Sequence, residues 1–128
     1  MSEASVVRTS RFGYAETVER LVRAIVAGGN IVFATIDQAA AATRAGLNLR
    51  PTTLIVFGNP AGGTPLMEQL PLVGLDLPLK FLVWEEAGAV SVAYAPMSEI
   101  ARRYGVTGRE TQIAAMDHAL ANLAASVA

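Results

Sequence analysis

Few residues in this chain are equipped to do chemistry. There is no Cys and only one His. Asp37 closes the apolar run NIVFATID, and Asp76 stands just ahead of Leu77-Pro78 and a second apolar run. Two carboxylates at strand ends, if they meet near the Asn59 turn, make a general acid/base pair, with Lys80 as an electrostatic stabiliser. The same residues also read more simply: Asp37 caps the segment that follows it, and Asp76 holds a turn by an Asx-type bond. Gly62-Gly63-Thr64-Pro65 reads as a helix start with Thr64 as N-cap and Pro65 at N1, where free N–H groups hold an anion. No Lys follows as in a Walker loop, and there is no GxGxxG. His118 falls opposite the apolar stripe of its helix, on the solvent side, so no Ser-His-Asp site is expected around it. One His, no Cys, and carboxylates (Asp37, Asp76, Glu85, Glu86) without ligand spacing give no metal site.

These side chains are positioned by a recognisable order of elements. Ser5 to Arg11 predicts a strand rich in β-branched residues, ended by Phe12-Gly13. In Tyr14 to Ala27, Val18, Leu21, Val22, Ile25 and Val26 recur with helical period, and Gly28-Gly29 stops the helix. Asn30 to Asp37 predicts a strand whose near-continuous apolar run suggests an interior place in the sheet. Asp37 caps the Ala-rich helix 38–45. Thr52 to Phe57 is a strand that feeds Gly58-Asn59-Pro60, a stretch dense in Gly and Pro that must follow a specific path. Leu79–Glu85 and Ala89–Tyr94 form a hairpin about Glu86-Ala87-Gly88. A short helix spans Pro96 to Gly105, with Ser98 as its cap. Thr107 and Glu110 suggest a capping box opening the last helix, where Ile113, Met116, Leu120, Leu123 and Val127 share one face. The sum is an α+β fold. Its sheet is mainly antiparallel, two long helices lie on one face, and the order is β-α-β4-α with short helices inserted.

At 128 residues the chain reads as a single domain, 1–128, able to build a core without disulfides. A net charge of −1 gives nucleic acid no electrostatic hold. Hydrophobic content is 52% and charged content 16%, yet the longest apolar run, Ala24 to Ile36, falls short of the roughly 20 residues a bilayer requires. The N-terminal MSEASVVRTSR has no apolar core of a signal peptide, so a cytoplasmic location is expected. The apolar excess then points to a homodimer interface or a ligand pocket.

The stretch from Val32 to Glu86 carries a resemblance. The strand ending in Ile36-Asp37, the Ala-rich segment to Gly46-Leu47, FGNP at 57–60, GTPLM at 63–67, DLPLK at 76–80 and the strand with Trp84 occur in the order and spacing of domain of unknown function family 302. Tyr94 and Ala-Arg-Arg-Tyr-Gly at 101–105 fit as well. The resemblance implies a single-copy TATA-binding-protein-like fold, β-α-β4-α; it does not imply DNA binding, since fold does not fix function. It brings no activity and no cofactor with it. The family usually carries His after the Ile-Asp pair, where this chain has Gln38, so chemistry that needs that His cannot operate here.

The expectation is therefore a homodimeric domain that binds or senses a small or anionic ligand. Its site is expected from Asp37, Gln38, Asn59, Gly62, Gly63, Thr64, Asp76 and Lys80, with Trp84 as a wall. An enzyme using Asp37 or Asp76 as base, and a structural module without ligand, are the alternatives.

Overall fold

Strict alternation in the central strands decides how the sheet is built. The computed structural model describes residues 5–128; the first residues of the segment read as lacking a signal peptide, Met1–Ala4, lie outside them. In β3 (Thr52–Gly58), Thr53, Ile55 and Phe57 are buried while Thr52, Leu54 and Val56 are only partly covered. In β4 (Leu79–Glu86) and β5 (Ala89–Tyr94) the buried set is Phe81, Val83, Val90, Val92 and Tyr94. Side chains alternate across a strand, so one register puts all of these on a single face. Ile55 opposes Phe81, and Val83 opposes Val92. The sheet is completed by β1 (Val6–Thr9) and β2 (Ile31–Asp37) in the order β1-β5-β4-β3-β2, with every pairing antiparallel.

Helices α1 (Tyr14–Ala27) and α5 (Glu110–Ala125) lie on that buried face. Leu21 and Ile25 descend from α1, and Leu120 and Ala124 from α5. They meet an aromatic layer in which Phe57 stacks on Phe81 at 5.0 Å and Tyr94 meets Phe81 edge-on at 5.5 Å. Both are favoured ring arrangements. The small Ala124 side chain lets α5 approach the sheet closely. The hairpin between β4 and β5 is the expected one. Ala87 and Gly88 form a two-residue loop with φ of 52° and 81°, the backbone sense that matches strand twist.

A second cluster holds the Gly/Pro-rich stretch. Leu66 from α3 (Pro60–Gln69), Val73 from a 3-10 turn (Pro71–Leu75) and Leu77 pack with Met97, Ile100 and Ala101 of α4 (Met97–Tyr104) and with Ile113 of α5. The stretch therefore folds against α4 and α5. Leu79 and Ala95 join this cluster at the end of the sheet.

Four local expectations need correction. β2 is an edge strand, not an interior one; its Ile31, Phe33 and Ile36 are 46%, 52% and 40% exposed. Helix α3 starts at Pro60 with Asn59 as its cap, so Thr64 is not an N-cap and Pro65 lies inside the helix. Asn and Pro together supply the cap and the N1 residue a few positions earlier than Thr and Pro do. Ser98 does not cap α4. Instead Asp117, on α5, accepts from Met97 N at 2.6 Å and from Ser98 N at 3.3 Å. Thr107 does not cap α5 either; Arg109 holds the N-cap position, and Glu110 accepts from Gly108 N at 3.1 Å. Asp37 does cap α2 (Gln38–Arg44), accepting from Ala40 N at 2.9 Å.

A cap supplied from another helix ties two elements at once. Replacing Asp117 with Ala removes an acceptor for two N–H groups and should cost about 1–2 kcal/mol of stability, measurable by urea unfolding. Ala in place of Ser98 should change stability by less than ~0.5 kcal/mol.

Candidate functional site

The strand register separates the residues expected to converge. Asp37 pairs with Thr53 at the start of β3, whereas Ile31 pairs with Gly58 at its end. Asn59 follows Gly58, so Asp37 and Gln38 lie a strand's length, roughly 20 Å, from the Asn59 turn. Asp37 and Asp76 therefore do not form an acid/base pair. Trp84 stands elsewhere again. It opposes Thr52 and Ser91 on the sheet face that α1 and α5 leave free, so it is no wall of a site at Asn59. His118 is exposed, as its place on α5 suggests. Among the described residues no three His, Cys, Asp or Glu side chains cluster as metal ligands.

At the Asn59 turn a groove of about 240 Å³ opens, and its lining is mostly apolar. Gly63, Met67 and Thr64 line it from α3, Leu77, Pro78 and Leu79 from the entry to β4, Met116 from α5, and Phe33 from the edge strand. Phe33 reaches it because β2 carries a bulge between Val32 and Ala34. An extra residue in one strand turns a side chain toward a new direction. Gly58 keeps the rim narrow: a Cβ there would meet Pro78 at 3.7 Å and the Phe33 ring at 3.8 Å. Gly63 leaves a gap between Met67 and Leu77, each about 3.7–3.8 Å from where its Cβ would be. The Leu77–Pro78 peptide bond is cis.

Asn59 and Thr64 are the polar side chains of this groove. The Asn59 Oδ1 accepts from Ala61 N at 3.0 Å, and its carbonyl oxygen accepts from Gly62 N at 2.9 Å and Gly63 N at 3.1 Å. The N–H groups expected to hold an anion at Gly62-Gly63 are thus already bonded. Among the described residues the Asn59 Nδ2 donates to no protein group, which leaves it for a ligand acceptor. Gly62 borders a smaller hollow of about 70 Å³, which shares Asn59, Leu79 and Met116 with the groove. Met116, flexible and polarisable, lines both.

Asp76 and Lys80 border a second hollow of about 120 Å³ with Arg103, Leu79, Ala95 and Ile100. Asp76 Oδ2 accepts from Arg103 Nη1 at 2.6 Å and from the Tyr104 hydroxyl at 2.9 Å. Lys80 Nζ donates to the Pro78 carbonyl at 2.8 Å. Burial pushes the Asp76 carboxyl up, but the Tyr104 and Arg103 hydrogen bonds and the Arg103 and Lys80 charges outweigh it, so the acid is held below its usual range. The same contact, with burial second, raises the Tyr104 hydroxyl. Phe33, Met67, Leu77, Pro78 and Met116 were not singled out from sequence. Only Met67, within GTPLM, and Leu77 and Pro78, within DLPLK, stood in motifs that drew notice.

A carboxyl with a lowered folded-state pKa adds stability that is fully present above its unfolded pKa, near 4, and fades as pH falls through the folded value. Asp76→Asn should therefore be less stable than the parent by roughly 1 kcal/mol at pH 7, and the difference should shrink below about pH 4. Chemical denaturation at both pH values measures it.

Similarity to known proteins agrees with the fold and leaves the site unassigned. A solved structure of a DUF302 protein from Bacillus stearothermophilus superimposes with a TM-score of 0.90 over 99% of this chain and 100% of that one, at 20% identity, a likeness of fold alone. Proteins of Brucella suis and Brucella abortus, each named fluoride-specific ion channel FluC 1, are 42% identical over 98 residues, 76% of this chain. The match spans only 39% and 36% of their lengths. No helix among the described residues is long and apolar enough to cross a membrane. The model of the family described as "Domain of unknown function DUF302" matches residues 6–123, and the chain belongs to that family.

Proposed function

We propose that this chain is a single small-molecule-binding domain, acting as a cytoplasmic homodimeric sensor, whose ligand enters the groove at Asn59. One observation carries the reading: a mostly apolar groove of about 240 Å³ that gathers Phe33, Met67, Leu77 and Met116 around one side-chain amide with a spare donor. Ligand sites are typically apolar clefts with a few fixed polar groups. The ligand fitting it is a small aromatic or aliphatic molecule with one hydrogen-bond acceptor. An anion finds less support, because the first N–H groups of α3 are occupied. Of the expected site residues, Asn59, Gly63 and Thr64 line the groove and Gly62 borders its neighbour, while Asp37, Gln38, Asp76, Lys80 and Trp84 fall outside it. That the Brucella relatives match over only a part of their length supports a domain that serves a larger protein.

Filling the groove tests this. Gly63→Leu projects a side chain between Met67 and Leu77 and exchanges a helical Gly for a better helix former. In a thermal-shift screen of small aromatic and aliphatic compounds, a true ligand at a hundredfold excess over its Kd should stabilise the parent by about 2.7 kcal/mol. Gly63→Leu should fold and lose that response. A panel that leaves the parent unmoved, or a hit that Gly63→Leu retains, refutes the site.

A further inference from the structure

The sheet has a second face, and its side chains form an ordered apolar row. Ile36 opposes Leu54, Leu54 opposes Leu82, Leu82 opposes Ala93, and Ala93 opposes Val7. This is one unbroken ladder of apolar residues across all five strands. Val56 and Trp84 flank it on β3 and β4. Of these residues, Val7 is 56% exposed and Ile36 is 40% exposed, and none belongs to either hydrophobic cluster. The Gly/Pro-rich stretch does not cover this face; it packs on α4 and α5.

We infer that this face is the contact surface between two copies of the chain, stacked sheet to sheet with their β4 strands antiparallel. Size is the first argument. Five strands about 4.8 Å apart and about 20 Å long give on the order of 500 Å² of projected area, which side-chain relief brings toward the ~800 Å² per partner of a stable interface. Charge is the second. Along β4 the residues on this face are Lys80, Leu82, Trp84 and Glu86: positive at one end, where Lys80 Nζ also donates to the Pro78 carbonyl, and negative at the other, where Glu86 also meets Arg50 at 3.5 Å in an exposed pair. A two-fold axis running along the strands would set Lys80 against Lys80 of the partner subunit. An axis running across them sets Lys80 toward Glu86 of the partner subunit and Leu82 against Trp84 of the partner subunit at the centre. Only the second is complementary, and a two-fold contact must be complementary to itself. This interface goes beyond the ligand reading, and the two stand or fall by different measurements.

Light scattering on the full chain at micromolar concentration should give twice 13.4 kDa. Leu82→Arg should weaken association roughly 30-fold or more, the effect of losing a central hot spot. Ser91→Lys, an exchange at a polar position on the same face, should weaken it also and serves if Leu82→Arg fails the circular-dichroism check for folding. Lys80→Glu and Glu86→Lys should each weaken the dimer by about 10-fold, and the double exchange should restore it to within about 3-fold. A mass of 13.4 kDa at every concentration overturns the interface. So does a dimer that tolerates both Leu82→Arg and Ser91→Lys. A double exchange no better than the singles overturns the antiparallel arrangement.

Discussion

The aromatic layer of Phe57, Phe81 and Tyr94 is the contact on which the remaining structure depends. It lies across the three central strands, and both long helices close on it. Because side chains alternate, fixing these three inward fixes every neighbour outward. Leu54, Val56, Leu82 and Trp84 then have no choice of face. A strand apolar on both sides is usually covered on both. Here the helices come from the two ends of the chain and share one side, so the same constraint that builds the core leaves an apolar surface opposite it.

The large elements were legible in the sequence because their signals are local. The stripe of Val18, Leu21, Val22 and Ile25 in α1 needs only a period, and Leu21 and Ile25 are fully buried as it implies. Val26, counted in the same stripe, is 57% exposed, since it lies at the margin of the helix face that reaches the sheet. The β4–β5 hairpin was fixed by two residues of turn. What could not be read depends on partners distant in sequence. The capping of α4 comes from Asp117, about twenty positions on, while Ser98 offered a local cap of the usual type. The apolar run of β2 looked like an interior strand, yet its residues serve two separate surfaces at an edge. Phe33 turns to the groove and Ile36 to the open face.

The candidate site was legible in part for the same reason. Asn59, Gly63 and Thr64 were noticed for their backbone chemistry, and they do line the groove. The apolar residues that give the groove its character carry no signal of their own. Phe33 is one aromatic in an apolar strand until the bulge at Val32/Ala34 turns it, and a bulge is set by the register of two strands together. Met116 looked like one more position in the α5 stripe. Its contact with Gly62, 3.7 Å from where a Cβ would lie, exists only because α3 packs against α5.

These placements bear on what the two carboxylates can do. A general base is most effective with a pKa near the working pH. Asp76 is held in the opposite direction, ionised between Arg103 and Tyr104, with both hydrogen bonds directed at Oδ2. That arrangement fastens the end of the 3-10 turn to α4 and leaves a weak base. Asp37 is engaged in capping α2 and sits at the far end of β3. The groove at Asn59 brings no titratable side chain among its lining residues. What the groove does hold is apolar walls with the Asn59 amide and the Thr64 side chain set among them, a lining whose fixed features are shape and hydrogen-bonding groups.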